Sequence, residues 1–499
     1  MIKSEDYFYG TATPEEQEKL AYVPTFPELL EKMNRLYADL DCFGNTEVTY
    51  KYSEVYSRVA KRRQFLYDLG LKEGDKVAVM ARNCVDAMEW FLAVPSAGMV
   101  LMMLPVQLNE MQIIGSVKKF QIAAAFVADE FKALYEKADV KVYSLDSIAD
   151  KEGAYGKNIV KETVAAIYFT GGTTGAPKGV VLNHGALLRG GHNGIFRPTH
   201  IFGNRYITLL PMSHIFGSVC GFLSGLYSGS FFFAIEDTKR AFGMIPVVRP
   251  TCLVAVPGMA EIILALAKMH GKEFLGDLNT MVLGAAPVPP RMMADFEKYG
   301  IKPCPGYGLT EGANLTCANF DADKKPDSMG IIYPGQEVKV VDGELWIKGD
   351  NVMDGYYNDP EATALVMEDG WLKTGDLVSF DEEGFITIVG RIKNLIILSN
   401  GENVSPEEVE EVFYKENFIK DCLVTEEEVN GDAVIAIEIL PYDPEVAGLS
   451  QEEIQKKAEE VVARVNEKLP TFKRVSLVKV RNTDFARTGA MKIQRQIKK

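Results

Sequence analysis

The chain has 499 residues, 47% of them apolar and 25% charged, with a formal net charge of −15. That length exceeds what one hydrophobic core supports, so two or more domains are expected. The acidic balance argues against nucleic acid as the principal partner. No uninterrupted run of about 18 apolar residues predicts a transmembrane segment. The N-terminus, Met1-Ile-Lys-Ser-Glu-Asp, lacks the basic-then-apolar layout of a secretory signal. Seven scattered cysteines with no C-x-x-C pair indicate neither a disulfide framework nor a zinc site, which fits a reducing, cytoplasmic setting.

Along the first 160 residues, helical and strand-like stretches alternate. Tyr52–Lys61 has helical spacing, Lys76–Met80 reads as a strand and Asp86–Leu92 as a helix. A second alternating block follows, with strands expected at Val164–Phe169, Gly179–Leu182, Tyr206–Leu210, Thr251–Val256 and Thr280–Leu283. Such alternation favours parallel sheets covered by helices. From about 330 the texture changes to short strands and turns, at Glu337–Val341, Glu344–Lys348 and Phe385–Val389, suggesting a small β subdomain. A boundary is expected just after Gly390-Arg391. Beyond it, Asn394–Leu398 reads as a strand, and Ser405-Pro-Glu-Glu408 carries a capping box with proline at the first helical position. A Glu-rich, helix-like region spans 407–463, with strands expected near 433–440 and 475–480. The fold class is therefore α/β: a large N-terminal domain (1–392) of βα-layered sheets plus a small β subdomain, then a small α+β domain (393–499). The last 32 residues, Lys468–Lys499, hold ten Lys/Arg and one acid, Asp484. Such a tail is either a solvated face or a surface for a polyanionic substrate.

The most informative segment is Tyr168-Phe-Thr-Gly-Gly-Thr-Thr-Gly-Ala-Pro-Lys178-Gly. A glycine-rich loop leaving a buried strand can turn its N–H groups toward one anion, while threonine hydroxyls and a lysine add donors and charge. This points to a nucleotide polyphosphate. A P-loop is excluded, because Lys178 follows Pro177 and precedes a strand rather than a helix. Gly306-Tyr-Gly308 with Gly312 fails as a dinucleotide fingerprint, since the last glycine comes one residue late. His184, His192 and His200, eight residues apart, do not align on one helix face and make no metal set.

Five further segments follow in order: Pro211-Met-Ser-His214-Ile-Phe-Gly217, Gly284-Ala-Ala-Pro287, Gly306-Tyr307-Gly308-Leu-Thr310-Glu311, Trp371-Leu-Lys-Thr-Gly-Asp376 and Gly390-Arg391-Ile-Lys393. Lys492 then sits within Arg487–Arg495. In number, order and spacing these resemble the adenylate-forming superfamily of acyl-CoA synthetases, peptide-synthetase adenylation domains and beetle luciferases. The resemblance runs from roughly residue 25 to 497.

The resemblance implies an AMP-forming acid–thiol ligase, using ATP, Mg²⁺ and coenzyme A to activate a carboxylic acid. Thr170, Gly171, Gly172, Thr173, Thr174, Gly175 and Lys178 would hold the β- and γ-phosphates. Thr310 would donate to the α-phosphate, and Glu311 would position Mg²⁺, as suits a hard oxygen ligand. Tyr307 would stack on adenine, flanked by Gly306 and Gly308, with Gly284, Ala285 and Ala286 along the other side. Asp376 would accept the ribose hydroxyls, reinforced by Arg391. Lys492 would bridge carboxylate and α-phosphate oxygens, making the basic tail a catalytic lobe. Lys393 stands at the hinge of a mobile C-terminal domain, whose rotation would bring Asn400 or Gly401 to the thiol channel. His214 would gate or contact the acyl carboxylate.

Three positions depart from the common pattern: Gly171 in place of serine, Met491 in place of the glycine before Lys492, and a longer turn at Leu398-Ser-Asn-Gly401. Ile215 and Phe216 follow His214 where amino-acid-activating relatives carry an aspartate. An unpaired buried ammonium would be strongly disfavoured there, so amino acids are excluded. Gly217, Gly221, Gly225, Gly306 and Gly308 leave room for a chain or an aryl ring, favouring a fatty or other apolar acid. Two alternatives stand beside this reading: loading onto a carrier-protein phosphopantetheine, and a catalytically silent acyl- or nucleotide-binding relative.

Overall fold

The computed structural model describes residues 2–10, 12–170, 178–194, 202–398, 402–429, 432–487, 493 and 495. It has the expected α/β class. The central seven-stranded sheet runs, edge to edge, Gly355–Tyr356, Lys178–Asn183, Val164–Thr170, Val100–Met103, Lys76–Met80, Ile122–Val127 and Lys141–Ser144. The last five strands are parallel, whereas Lys178–Asn183 turns back antiparallel on Val164–Thr170 and Gly355–Tyr356 adds antiparallel to it. These strands read as apolar runs because helices such as Tyr52–Asp68 and Val85–Ser96 bury the sheet.

A second sheet places Cys252–Ala255, Thr280–Leu283 and Lys302–Leu309 in parallel, then Asn314–Ala318 and Ile331–Ile332 antiparallel. A four-stranded sheet joins Thr49–Lys51, Asp41–Gly44, Phe231–Phe233 and Arg205–Ile207. The β subdomain is an antiparallel sheet of Gln336–Val341, Glu344–Gly349, Trp371–Phe380, Met367–Glu368 and Ile386–Arg391. A separate hydrophobic core gathers Ile396, Val404, Val409, Phe413, Ile437, Val461 and others behind the sheet Ile419–Val429, Asp432–Pro441 and Leu477–Val480.

Four local expectations are corrected. The strand expected at Tyr206–Leu210 ends at Ile207. Residues beyond it leave the ladder because the buried Asn83 amide takes the carbonyls of Thr208 and Leu210, both at 2.8 Å. The Glu-rich region is not continuously helical. Helices Pro406–Tyr414 and Gln451–Asn466 are separated by the long antiparallel pair Ile419–Val429 and Asp432–Pro441, where apolar residues outweigh the surrounding acids. At Ser405 only half of the expected capping box forms: its side chain accepts from the Glu408 N–H, but the Glu408 carboxylate turns to Lys473 at 2.5 Å.

The glycines expected to leave room for substrate mostly do not. A Cβ on Gly217 would overlap the Pro211 carbonyl oxygen, and one on Gly308 the Asn314 carbonyl oxygen. At Gly225 it would stand 2.7 Å from the Phe232 ring, and at Gly306 3.1 Å from the Cys317 carbonyl oxygen. Only Gly221 has ordinary clearance, with its nearest neighbour at 3.6 Å. At Gly217, Gly306 and Gly308 the residue is small because another backbone passes close by, and at Gly225 because the Phe232 ring does.

Tyr9, Leu20, Tyr22 and Phe26, near the start of the chain, all contact the helix His184–Asn193. Thr13 caps Pro14–Leu20 in a reciprocal box with Glu16, and Thr25 caps Phe26–Tyr37. Phe8 stacks on Tyr333 with centroids 3.9 Å apart. The Phe26 N–H donates to His184 Nδ1 at 3.2 Å, and His192 Nε2 lies 2.9 Å from the Leu20 carbonyl oxygen. A carbonyl accepts only, so His192 carries its proton on Nε2, while His184 must leave Nδ1 bare. Burial pushes both imidazoles down to about 3.

Gly308→Ala should lower the thermal unfolding midpoint by about 5 °C or more through overpacking, whereas Gly221→Ala should change it by less than about 2 °C; equal shifts would reject the packing account. Both histidines are depressed in the folded state relative to an ordinary value of 6.5. Their contribution is therefore fully present above about pH 6.5 and is lost as pH falls toward 3, because only the unfolded chain takes up the protons. Differential scanning from pH 7 to pH 5 should show a falling midpoint, and the His184→Gln/His192→Gln variant a flatter profile.

Candidate functional site

The glycine-rich loop is anchored at both ends by strand pairing. Thr170 and Lys178 face each other in the antiparallel register, so the strands on either side of the loop form a hairpin pair. Gly171, Gly172, Thr173, Thr174 and Gly175 lie outside the described residues, as do Asn400, Gly401, Met491 and Lys492. Lys178 itself is described, with its ammonium 4.7 Å from the centre of the Tyr356 ring.

Around this hairpin the fold brings together residues far apart in sequence. Lys302–Leu309 carries Gly306, Tyr307 and Gly308 out of the second sheet, and a 3₁₀ turn, Thr310–Gly312, follows at once. The Tyr307 hydroxyl donates to Asp376 Oδ2 at 2.6 Å. Asp376 and Arg391 are direct cross-strand neighbours in the β subdomain, and Arg391 Nε lies 2.7 Å from Asp376 Oδ1. A carboxylate that is 1% exposed thus accepts the Tyr307 hydroxyl through Oδ2 and is charge-paired with Arg391 through Oδ1. Lys393 stands two residues past Arg391. Burial, then the positive charge of Arg391, pulls its ammonium below the ordinary lysine range, while Asp376 and Glu311 oppose that shift. Its electrostatic surroundings therefore join the Asp376 and Glu311 ends of the site.

Glu311 is gripped twice. Its carbonyl oxygen accepts from the Met353 N–H at 2.8 Å, and its Oε1 accepts from the Tyr356 hydroxyl at 2.8 Å. Among the described residues, no three His, Cys, Asp or Glu side chains form a metal-holding group. One carboxylate on a loop is the donor set of a Mg²⁺ whose other ligands are waters and substrate phosphates, so these residues fit that ion and not an all-protein cation cage.

Gly284 and Ala285 leave the strand Thr280–Leu283, with Ala285 in the left-handed region at φ +66°. A Cβ on Gly284 would stand 2.9 Å from the Phe216 ring and 3.2 Å from the Gly306 carbonyl oxygen. The Gly284–Ala286 turn thus passes between Phe216 and the Gly306–Gly308 strand, and only glycine lets it through. Phe216 opens a π-helical stretch, Phe216–Leu223, directly after His214. The wider i→i+5 turn redirects side chains and recurs at functional sites. The His214 carbonyl accepts from the Ser218 N–H and Oγ, both at 3.0 Å, and Ser218 Oγ lies 2.7 Å from the Tyr168 hydroxyl. Burial lowers the His214 imidazole, favouring its neutral form.

Sequence reasoning passed over Tyr356, Asn83, Ser218 and Tyr168. Only Tyr168 stands within a recognised motif; the others show their purpose through partners distant in sequence. The basic tail is also redistributed. Lys473 pairs with Glu408 at 2.5 Å, Lys479 with Glu427 at 2.9 Å and Arg481 with Glu438 at 3.4 Å, while Arg487 pairs with Asp421 and Arg495 with Glu410. Much of its charge is neutralised by the acids of its own domain, so the net excess of Lys/Arg is not a free polyanion surface.

No helix among the described residues is long and apolar enough to cross a membrane. A family model described as AMP-binding enzyme matches residues 30–357, and one described as AMP-binding enzyme C-terminal domain matches residues 393–498. The chain is 31% identical over 404 residues to 4-coumarate–CoA ligase-like 6 of Arabidopsis thaliana, covering 72% of this chain and 70% of that protein. It is 28% identical over 465 residues to a long-chain-fatty-acid–CoA ligase of Bacillus subtilis, covering 78% and 80% of the two chains. Among solved structures, the o-succinylbenzoate CoA synthetase of Bacillus subtilis with its acyl-adenylate superposes at a TM-score of 0.78 and 22% identity, over 94% of this chain and 96% of that one. An anthranilate CoA ligase bound to anthranoyl-AMP gives 0.82 at 18% identity, over 95% and 96%; at such identities the likeness is one of fold. The curated relatives named are acid–CoA ligases, and the chain belongs to the AMP-binding enzyme family.

Proposed function

We propose that the protein is an AMP-forming acyl-CoA synthetase acting on an apolar carboxylic acid. The acid's carboxylate oxygen attacks the α-phosphorus of ATP, the bond to the bridging oxygen breaks, and pyrophosphate leaves. The thiol of coenzyme A then attacks the acyl carbon, forming a thioester and releasing AMP, with the thiol proton passing to solvent. The observation that carries the reading is the convergence of Tyr307, Asp376, Arg391, Lys393 and Glu311 beside the hairpin closed by Thr170 and Lys178.

The first step brings anions together, so it needs fixed donors and positive charge at the phosphates. The loop 170–178 is assigned the β- and γ-phosphates, and Thr310 the α-phosphate. Glu311 is assigned Mg²⁺, which supplies charge neutralisation when bound. Tyr307 offers a ring face to adenine, flanked by Gly306 and Gly308, with Gly284, Ala285 and Ala286 opposite. The ribose hydroxyls are assigned to Asp376, and their arrival requires exchange with the Tyr307 hydroxyl that now occupies Oδ2. His214, neutral and beside the Phe216 ring's helix, suits contact with the acyl carboxylate more than ion pairing. Lys492 is assigned the carboxylate and α-phosphate oxygens. The segment 393–499 is assigned a swing about Lys393, bringing Asn400 or Gly401 to the thiol path.

The apolar character of the acid rests on the buried stretch Phe216–Leu223 and on Ile215 and Phe216 after His214. With four of the five glycines committed to close packing against backbone or rings, the support for a long acyl chain is reduced to Gly221.

Pyrophosphate release from ATP over fatty, aryl and arylacrylic acids should be sustained only when both an apolar acid and coenzyme A are present. Release unaffected by coenzyme A would direct the acyl group to a carrier protein instead, and no release would favour a binding-only relative. Glu311→Gln should lower Mg²⁺-dependent turnover by roughly 10²-fold, the scale of losing a transition-state stabiliser. Lys492→Ala should abolish adenylate formation yet spare thioester formation from preformed acyl-adenylate; an equal loss in both half-reactions would make Lys492 structural.

A further inference from the structure

Tyr356 touches two groups that the proposed function uses separately. It lies on the two-residue strand Gly355–Tyr356, which pairs with the hairpin strand so that Tyr356 faces Val180. That register sets its ring beside Lys178, two residues earlier, with the ammonium 4.7 Å from the ring centre. Its hydroxyl reaches the other way and donates to Glu311 Oε1 at 2.8 Å. The strand is itself fixed: the Tyr356 N–H donates to Thr363 Oγ1 at 2.9 Å, and Met353, three residues earlier, holds the Glu311 carbonyl oxygen. The segment 353–356 therefore ties residue 311 by backbone and side chain to Lys178–Asn183, the strand that leaves the glycine-rich loop.

A carboxylate on a 3₁₀ turn would otherwise sample several χ3 orientations. A phenol on one oxygen selects one of them, and hydrogen bonds to charged groups are among the stronger ones. The ring face meanwhile attracts the Lys178 ammonium through its quadrupole. One side chain thus sets the separation between a phosphate-facing cation and a metal-facing carboxylate.

We propose that Tyr356 is a positioning residue that couples Lys178 to Glu311 and so places the metal-bearing carboxylate relative to the β- and γ-phosphates. This rests on the assignment of Glu311 to the metal. Tyr356 acts through Glu311 and Lys178 and takes no part in bond making.

The test uses Mn²⁺ as a spectroscopic probe, titrated by electron paramagnetic resonance into the full-length protein with α,β-methylene-ATP. Tyr356→Phe, which keeps the ring but removes the hydroxyl, should weaken Mn²⁺ about tenfold, the scale of one hydrogen bond to a charged group. It should leave metal-free nucleotide affinity unchanged. Tyr356→Leu should weaken metal-free nucleotide as well, because it also removes the ring beside Lys178. AMP affinity and the unfolding midpoint, measured on the same variants, establish that the site is folded; if Tyr356→Leu fails this check, Tyr356→Phe alone decides. Wild-type Mn²⁺ affinity in Tyr356→Phe, alongside a marked loss in Glu311→Gln, would overturn the positioning role and keep the metal assignment. Wild-type affinity in Glu311→Gln would overturn both.

Discussion

The architecture of the site depends on one buried carboxylate. Asp376 is almost wholly removed from solvent, and an ionised group in that position is strongly unfavourable unless donors surround it. Its donors come from two sheets: Tyr307 from the strand Lys302–Leu309 and Arg391 from the neighbouring strand of the β subdomain. Satisfying Asp376 therefore fixes where the β subdomain sits against the second sheet. Lys393 lies two residues beyond Arg391, so the same contact sets the point at which the chain leaves the β subdomain. Its carboxylate is oriented by a hydroxyl on one oxygen and a guanidinium beside the other.

A second constraint is close backbone approach. The strand Lys302–Leu309 bends back on Asn314–Ala318 so tightly that a Cβ at Gly308 has nowhere to go. That compression delivers Thr310 and Glu311 on a short 3₁₀ turn, within reach of Tyr356 on the outer edge of the central sheet. The two ends of the glycine-rich loop, Thr170 and Lys178, are likewise held in antiparallel register. A rigid ladder is how fixed dipoles and charges are aimed at a reacting group without reorganisation during reaction.

Charge in the C-terminal region follows a different logic. The acids of 407–438 and the bases of 468–495 are separated in sequence, and by composition each looks like a distinct electrostatic surface. Folding lays them against each other, with Lys473, Lys479, Arg481, Arg487 and Arg495 all meeting carboxylates. These described pairs lie within the domain, several of them half-buried, where such pairs specify packing more than they add stability.

The amino-acid sequence by itself determined the class of fold, the strand positions that flank the glycine-rich loop, and the order of motifs that marks the family. Apolar runs bounded by turn residues and a glycine–threonine–lysine loop are local signals, readable within a window of a dozen residues. It also supplied the site residues that carry charge or an aromatic ring inside those motifs, such as Tyr307, Glu311, Asp376 and Arg391. Only the tertiary structure decided what each of them touches. The Tyr307–Asp376 and Tyr356–Glu311 contacts span 69 and 45 residues, so they exist only once sheet topology has set which strands are neighbours. The same holds for Asn83, whose amide ends a strand more than a hundred residues away, and for the glycines, whose smallness looks like room until the opposing carbonyl is seen. Composition fixes what a side chain can do, whereas the paired backbones determine which partner stands within 3 Å of it.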